Sequence, residues 1–187
     1  LPLFHSFGFT ATMWFPLISG IGAVYHVNPL DAKVVGKLAS QFKATILMST
    51  PTFLNAYVKR CTKEQFSSLR TVVVGAEKLK EQTARDFKEK FGIEALEGYG
   101  CTELSPIVSL NLPDHFEKGF KYRASKAGKI GLPLPGIAVK ILNPETLKPV
   151  GPEENGLLFV KGPNVMKGYL HRDDLTQEVI KDGWYAT

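Results

Sequence analysis

The sequence predicts an α/β fold with a mainly parallel sheet flanked by helices, followed by the start of a small β subdomain. Up to residue 112, short strand-like apolar runs alternate with segments whose apolar residues recur at helical spacing. The connections between them are short, which favours parallel strands joined by crossover helices. After residue 112, Gly, Pro and Lys become frequent and two strand-like runs follow. We therefore expect an α/β part over residues 1–112 and an incomplete, barrel-like β part over residues 113–187.

Composition limits the classes of partner. The chain has 187 residues, 44% hydrophobic and 22% charged, within the range of globular domains. Its net charge of +5 suits phosphate-bearing ligands or an acidic protein partner. The basic residues do not form a stripe interleaved with aromatic residues, so we expect no nucleic-acid partner. Cys61 and Cys101 have neither a disulfide framework nor a metal-ligand spacing, and they suit a reducing cytoplasm.

The first thirty residues contain no Lys, Arg, Asp or Glu. A membrane segment with a soluble tail is one interpretation of such a run. Pro16, Gly20 and Gly22 interrupt it, however, and AVYHV at 23–27 is rich in strand-forming residues. We therefore predict a buried helix followed by a buried strand. The run lacks the basic start and cleavage site of a secretory signal, so the chain is expected to begin inside a domain.

Local signals define the next elements in order. DAKVVGKLASQF predicts a helix, and ATILMS at 44–49 a strand. Pro51 opens a helix that ends in basic residues, and RTVVVG at 70–75 is a buried strand. The helix KEQTARDFKEKFG stops at Gly92, and EALEGYG forms a strand that runs into a turn. IAVKIL and LLFVKG then predict a β-hairpin.

Two strand ends carry residues suited to a nucleotide. Parallel sheets bind ligands beyond the carboxyl ends of their strands. Gly75 and Ala76 would let a flat ring approach the backbone, and Tyr99 offers an aromatic face. The hydroxyl of Thr102 suits a phosphate oxygen, and the carboxylate of Glu103 suits Mg²⁺. Taken singly, each residue has an ordinary alternative, namely a tight turn or packing, so only the combination predicts a site.

Cys101 lies between these residues. A nucleophilic thiol needs a base or a positive environment, but the nearest charges in sequence are Glu97 and Glu103. We therefore interpret Cys101 as a small side chain that fills space.

The order of five segments resembles the core motifs of the adenylate-forming enzymes, a superfamily that includes acyl-CoA synthetases, luciferases and the adenylation domains of peptide synthetases. The segments are LPLFHSFG, VVVGAEKL, LEGYGCTE, GLLFVKGPNVMKGYLHRDDLT and DGWYAT, and they cover essentially the whole chain. Within the superfamily they look most like the acyl-[acyl carrier protein] synthetase part of bifunctional 2-acylglycerophosphoethanolamine acyltransferases. That closer likeness implies a place in fatty acid and phospholipid metabolism.

The resemblance implies a two-step ligase that uses ATP and Mg²⁺. A fatty acid carboxylate attacks the α-phosphate of ATP to give acyl-adenylate and pyrophosphate. The thiol of acyl carrier protein or coenzyme A then takes the acyl group and releases AMP. The expected location is the cytoplasm, or the inner face of the cytoplasmic membrane if regions outside this chain attach the parent protein there.

The resemblance also implies residue roles. Thr102 would hold the α-phosphate, Glu103 would bind the metal, and His5 would lie beside the substrate carboxylate as a third catalytic group. The apolar run from Phe7 to Ile18 would help to form an acyl tunnel, although core packing explains it equally well. Cys101 occupies the variable position of the Tyr-Gly-x-Thr-Glu motif and is not expected to be catalytic. The nucleotide would contact Gly75, Ala76, Glu77, Gly98, Tyr99, Gly100 and Thr102.

Several family features are missing from the sequence: the Gly-rich phosphate loop, the Asp that holds the ribose, and the small C-terminal domain with its catalytic lysine. We therefore expect a piece of a larger enzyme, with little or no activity by itself. The alternative is a non-catalytic nucleotide- or partner-binding module on the same fold, which the intact Tyr99, Thr102 and Glu103 disfavour.

A basic stretch departs from the family pattern, with Lys129 where relatives commonly have a small hydroxyl residue. A solvated, mobile loop is the favoured interpretation, and a docking site for an acidic acyl carrier protein is the alternative. Its basic residues are Lys118, Lys121, Arg123, Lys126 and Lys129.

Overall fold

The computed structural model describes residues 1–117 and 119–187, so Lys118 of the basic stretch lies outside the described residues. The strands are β1 (Ile46–Ser49), β2 (Thr71–Val74), β3 (Ala95–Gly100), β4 (Ile107–Leu110), β5 (His115–Glu117), β6 (Phe120–Tyr122), β7 (Leu132–Pro133), β8 (Ala138–Leu142), β9 (Leu157–Lys161), β10 (Ile180–Lys181) and β11 (Trp184–Ala186). The α-helices are α1 (Ser6–Gly8), α2 (Phe15–Ser19), α3 (Ala32–Gln41), α4 (Pro51–Arg60), α5 (Glu81–Phe91) and α6 (Asp173–Val179). A π-helix, Phe9–Trp14, joins α1 to α2, and 3₁₀ turns cover Glu64–Phe66 and Thr102–Leu104.

A five-stranded sheet organises the α/β part. Its strand order is β1-β2-β3-β4-β7. The first three strands run parallel, whereas β4 and β7 are antiparallel to their neighbours. The predicted α/β fold, with its parallel strands and flanking helices, is therefore confirmed.

The predicted helix boundaries follow from local chemistry. Pro51 occupies the first position of α4, where its missing N–H costs nothing, and the Thr50 hydroxyl accepts a hydrogen bond from the Phe53 amide. Gly92 ends α5 in the left-handed conformation, with φ of 75°. Lysines in the last turn of α5 lie where the helix dipole favours positive charge.

Both faces of strand β2 are buried. Val72 and Val74 pack into a cluster with residues from α3, α4 and α5. Val73 points to the opposite face, where it packs with Phe7 and Ala11 from the N-terminal helical segment. Burial on both faces explains why β2 is a continuous apolar run rather than an alternating one.

The second part of the chain is mainly antiparallel. The predicted hairpin is confirmed as β8 and β9, which belong to a four-stranded sheet of order β10-β11-β9-β8. Strand β7 pairs with β4, which ties Leu132–Pro133 to the five-stranded sheet. The division at residue 112 stays a prediction.

The prediction for the N-terminal apolar run is wrong in two respects. Residues 23–27 form no strand, and Val27 is 98% exposed. The helical segment before them buries Phe7 and Ala11, but Ile18 is 80% exposed. Within the described residues β1 keeps one unpaired edge, yet residues 23–27 do not pair with it. Strand-forming side chains therefore did not suffice to make a strand there.

The membrane interpretation of the same run gains no support from the helices. Within residues 1–117 and 119–187, none of them combines the length and apolarity that crossing a bilayer requires.

The basic stretch is more ordered than a free loop. Part of it forms the β5–β6 hairpin. The Asp114 carboxylate accepts hydrogen bonds from the Ala124 amide at 2.8 Å and from the Ser125 amide at 3.0 Å. The buried Asn111 side chain donates to the carbonyls of Glu97 and Lys129. These hydrogen bonds hold residues 124–129 close to Glu97 of β3.

Candidate functional site

A cavity of about 240 Å³ opens at the carboxyl ends of β2 and β3. This is the edge of a parallel sheet at which ligands bind, because helices cover the faces and the crossover loops leave a crevice there. The cavity brings together eight of the nine residues assigned a role from the sequence. They are His5, Gly75, Ala76, Gly98, Tyr99, Gly100, Thr102 and Glu103.

Glu77 is the ninth predicted residue and does not line this cavity. Its side chain is exposed, and Oε2 accepts a hydrogen bond of 2.8 Å from the Thr52 hydroxyl. It follows directly after the cavity residue Ala76, so it lies at the margin rather than in the wall.

Small residues shape the cavity wall. A Cβ atom on Gly75 would lie 3.3 Å from Cε1 of Phe7, tighter than an ordinary contact. A Cβ on Gly100 would overlap the carbonyl oxygen of Pro106, so no other residue fits there without moving β4. Ala76 has φ of 69°, a left-handed conformation that is costly outside glycine and is found preferentially at functional turns.

Tyr99 lies between the cavity and a second buried cluster of apolar side chains. Its half-buried side chain packs against a cluster that contains Leu104, Val108, Val160 and Tyr185. In β3 it pairs with Ser109 of β4. The aromatic side chain is therefore held by packing on one side while it lines the cavity on the other.

A hydrogen bond from Tyr169 orients the carboxylate of Glu103. The Tyr169 hydroxyl donates a 2.8 Å hydrogen bond to its Oε1. The pKa of the Glu103 carboxyl is lowered because its own backbone N–H and then the Tyr169 hydroxyl donate to it, which outweighs the effect of burial. Glu103 is thus ionised at neutral pH and presents a negative oxygen ligand.

The segment of residues 162–169 fastens the turn that carries Glu103. The Met166 amide donates to the Glu103 carbonyl at 2.8 Å, and the Asn164 side chain donates to the Leu104 carbonyl at 3.0 Å. Sequence reasoning assigned no role to Asn164 or Tyr169. Both lie in KGPNVMKGYL, one of the segments that carry the family resemblance, and this was the available signal.

The N-terminal segment supplies the facing wall. Nδ1 of His5 accepts a 3.1 Å hydrogen bond from the Phe7 amide, which caps α1. The Ser6 hydroxyl lies 3.2 Å from the Thr102 hydroxyl. Because Nδ1 is occupied by the cap, Nε2 is the His5 nitrogen that remains for a ligand. Ser6 was not predicted from the sequence, and Phe7 was expected only as the start of the apolar run that would help to form an acyl tunnel.

A second, more open cavity of about 490 Å³ adjoins the first. His5, Ser6 and Thr102 line both of them. The remaining lining of the second cavity includes Phe4 and Phe9, whose side chains are exposed and apolar. Its position would let an apolar substrate reach the hydroxyl of Thr102 from the side of the N-terminal helix.

Cys101 has the electrostatics of an unreactive thiol. Burial and then the negative charge of Glu103 raise the pKa of Cys101. The thiol is therefore protonated at neutral pH, in agreement with the expectation that it is not a nucleophile.

The residues present fit a nucleotide with Mg²⁺. Among the described residues, no group of three or more His, Cys, Asp or Glu side chains could enclose a metal by itself. Mg²⁺ commonly needs only one or two carboxylates, with phosphates and waters completing its shell, and Glu103 meets that need. The 240 Å³ cavity is smaller than the roughly 300–1,000 Å³ that encloses a drug-sized ligand, so it suits part of a nucleotide.

Comparison with known proteins agrees with this geometry. The AMP-binding enzyme family matches residues 1–170. A long-chain-fatty-acid–CoA ligase of Salmonella typhimurium is 35% identical over 100% of this chain and 32% of its own length.

Two solved structures are also similar. O-succinylbenzoate coenzyme A synthetase of Bacillus subtilis, in complex with ATP and magnesium ion, is 26% identical with a TM-score of 0.82, covering 100% of this chain and 37% of that one. The anthranilate CoA ligase AuaEII with anthranoyl-AMP is 28% identical with a TM-score of 0.85, covering 99% and 34%.

The chain therefore belongs to the AMP-binding enzyme family, a family of adenylate-forming enzymes. Its homologues are AMP-forming acyl-CoA ligases, and ligases of this family bind ATP and Mg²⁺. The chain spans about one third of the length of the curated relatives that it matches, the first of which is covered over 32%.

Proposed function

We propose that this chain is the adenine- and α-phosphate-binding part of an ATP-dependent ligase that activates a fatty acid as acyl-adenylate. The acyl group then passes to the thiol of coenzyme A or of an acyl carrier protein, and AMP is released. The observation that carries the proposal is the cavity at the strand ends, which unites Tyr99, Thr102 and an oriented, ionised Glu103.

Each wall of the cavity has a part in this reaction. Tyr99 stacks on adenine, with Gly75 and Ala76 on the opposite side of the ring. Thr102 donates its hydroxyl to the α-phosphate, where negative charge develops as the carboxylate attacks. Mg²⁺ held by Glu103 would supply further charge neutralisation at the phosphates.

The fatty acid enters from the second cavity. Its apolar chain lies along the exposed aromatic side chains of Phe4 and Phe9. Its carboxylate then reaches the region shared by the two cavities, which His5 and Thr102 line. In this arrangement, Nε2 of His5 orients the carboxylate towards the α-phosphate.

The acceptor and the cellular setting are finer parts of the proposal. The similarity to fatty-acid–CoA ligases favours coenzyme A. The motif resemblance to the bifunctional 2-acylglycerophosphoethanolamine acyltransferases favours an acyl carrier protein and a role in phospholipid metabolism. In both cases we place the reaction in the cytoplasm or at the inner face of its membrane. We also propose that residues 1–187 alone do not turn over substrate, since they span about one third of the length of the ligases that they match.

Acid-dependent exchange of labelled pyrophosphate into ATP tests the chemistry. The full-length ligase that contains this chain is compared with Glu103→Ala and with Glu145→Ala, a control at an exposed acidic residue in a turn. We expect exchange with fatty acids but not amino acids, a loss of about 100-fold or more in Glu103→Ala, and no loss in the control. Absence of exchange with any acid would favour the non-catalytic binding module.

A second assay identifies the acceptor. The acyl-adenylate reaction is run with coenzyme A and, separately, with an acyl carrier protein that bears its thiol-ended prosthetic group. Product formation only with the carrier protein supports the phospholipid assignment, whereas product only with coenzyme A overturns it and leaves the fatty-acid–CoA ligase.

A further inference from the structure

The Tyr169 hydroxyl contacts the Glu103 carboxylate from a distant segment of the chain. It donates to Oε1 at 2.8 Å across a separation of 66 residues. Tyr169 thus links the KGPNVMKGYL segment to the GYGCTE turn through a side chain that approaches the proposed metal ligand.

Tyr169 is itself held in place. Its amide donates a 2.9 Å hydrogen bond to the Thr176 hydroxyl, which in turn donates to the Arg172 carbonyl. The preceding Gly168 has φ of 152°, and a Cβ there would meet Thr176 Cγ2 at 2.8 Å. The start of α6 therefore fixes the backbone from which the Tyr169 ring extends.

The hydroxyl of Tyr169 is not needed to fix the chain path at Glu103. The Met166 amide already holds the Glu103 carbonyl, and Asn164 holds the Leu104 carbonyl. The bond from Tyr169 instead acts on the side chain, where it restricts the rotamer of the carboxylate together with the Glu103 backbone N–H.

We propose that Tyr169 is a positioning residue that holds the Glu103 carboxylate in the orientation needed to bind Mg²⁺ together with ATP. The inference rests on the proposed function of Glu103. Outer partners of metal-bound carboxylates preorganise the ligand, and their loss typically weakens metal binding by 10- to 100-fold. Tyr169 does not line the 240 Å³ cavity, so loss of its hydroxyl should affect metal binding rather than fatty acid affinity.

The test uses Tyr169→Phe in the full-length ligase, which keeps the ring and removes only the hydroxyl. Tyr122→Phe is the matched control, because its ring lies on the exposed β5–β6 hairpin away from the cavity. We expect the Mg²⁺ concentration for half-maximal pyrophosphate exchange to rise about 10-fold in Tyr169→Phe. The KM for the fatty acid and the thermal unfolding temperature should stay near those of the control.

Electron paramagnetic resonance of Mn²⁺ provides a readout that does not depend on turnover. In the presence of ATP, the dissociation constant of Mn²⁺ should rise in Tyr169→Phe by a factor similar to the Mg²⁺ shift, and it should not change in Tyr122→Phe. A merely structural role would change the unfolding temperature and leave metal affinity intact, which would overturn the proposal.

Glu103→Ala distinguishes a failure of the positioning role of Tyr169 from a failure of the metal role of Glu103. If Glu103→Ala weakens Mn²⁺ binding but Tyr169→Phe does not, the positioning role is wrong and the proposed function stands. If Glu103→Ala leaves Mn²⁺ binding unchanged, the metal role of Glu103 fails, and the role of Tyr169 fails with it.

Discussion

The two walls of the cavity are built in different ways. The first, the β3 wall (residues 98–103), is paired with β4 and fastened by Asn164, Met166 and Tyr169. The other, the N-terminal wall (residues 5–7), rests on the buried ring of Phe7 and one hydroxyl contact to Thr102. The groups proposed to meet a phosphate and a metal thus lie on the wall whose backbone is fixed by hydrogen bonds, as such chemistry requires. The wall that meets the proposed acyl substrate is held mainly by apolar packing.

Gly100→Ala should break the β3 wall and have the largest effect. The added Cβ overlaps the Pro106 carbonyl, so β3 and β4 must separate. We expect a loss of more than about 3 kcal/mol in the free energy of unfolding, measured by urea denaturation of the 187-residue chain. Gly22→Ala is the control, since a Cβ there meets no atom within 4 Å. An equal stability of the two variants would show that the wall is not closely packed.

Phe7→Ala tests the N-terminal wall. Phe7 is 7% exposed and packs with Val73 and Ala11, so its removal leaves a void under the wall. We expect a loss of about 3 kcal/mol, at the lower end for a buried aromatic residue because the site is near an opening. Phe4→Ala, at a residue 94% exposed, should cost little in the same denaturation experiment. A Phe7→Ala effect as small as that of Phe4→Ala would mean that packing does not hold the wall.

The sequence predicted the region around β2 and β3 well and other regions less well. Around β2 and β3, strand pattern, turn residues and the recognised motifs agree, and eight of nine predicted site residues line the cavity. Residues 23–27 have equally good strand formers but pair with no strand among the described residues, so side-chain preference alone predicted a strand that did not form. Tyr169 was missed because its role depends on a contact 66 residues away, which no local pattern encodes.

Asn111→Ala should weaken the support behind the β3 wall. The side chain is 3% exposed and donates to the carbonyls of Glu97 at 2.8 Å and Lys129 at 2.6 Å. Its Oδ1 also accepts from the Lys126 amide at 2.9 Å. Truncation leaves the Lys129 carbonyl and the Lys126 amide without these partners, whereas the Glu97 carbonyl keeps its bond from the Asn111 amide. The loss should cost about 2 kcal/mol. Asn143→Ala, at a side chain that accepts from two turn amides at exposed positions, is the control for a solvated network.

Asp114, which holds residues 124 and 125 by hydrogen bonds, should make the stability of the fold depend on pH. The pKa of the Asp114 carboxyl is lowered, first by the hydrogen bond from the Ala124 amide and also by those from Ser125. A carboxyl whose pKa is lower in the folded state stabilises the fold above its unfolded pKa. That contribution is lost as pH falls through the folded value. Asp114→Asn should therefore flatten the acidic side of the stability profile, measured by denaturation between neutral pH and pH about 3. An unchanged profile would show that the bonds to residues 124–125 do not distinguish the two protonation states.

Ser6→Ala should have the smallest effect on the free energy of unfolding. It removes the hydroxyl contact that joins the N-terminal wall to the β3 wall. The hydroxyl contact to Thr102 is exposed at 3.2 Å, so water replaces it readily and the loss should be about 0.5 kcal/mol or less. Ser67→Ala removes another exposed serine hydrogen bond, to the Glu64 carbonyl, at a distance from the cavity. Equal stabilities of the two variants would mean that Ser6 does not lock the N-terminal wall against the β3 wall. A loss above about 1 kcal/mol confined to Ser6→Ala would instead show that this one contact closes the cavity, and that packing by Phe7 alone is insufficient.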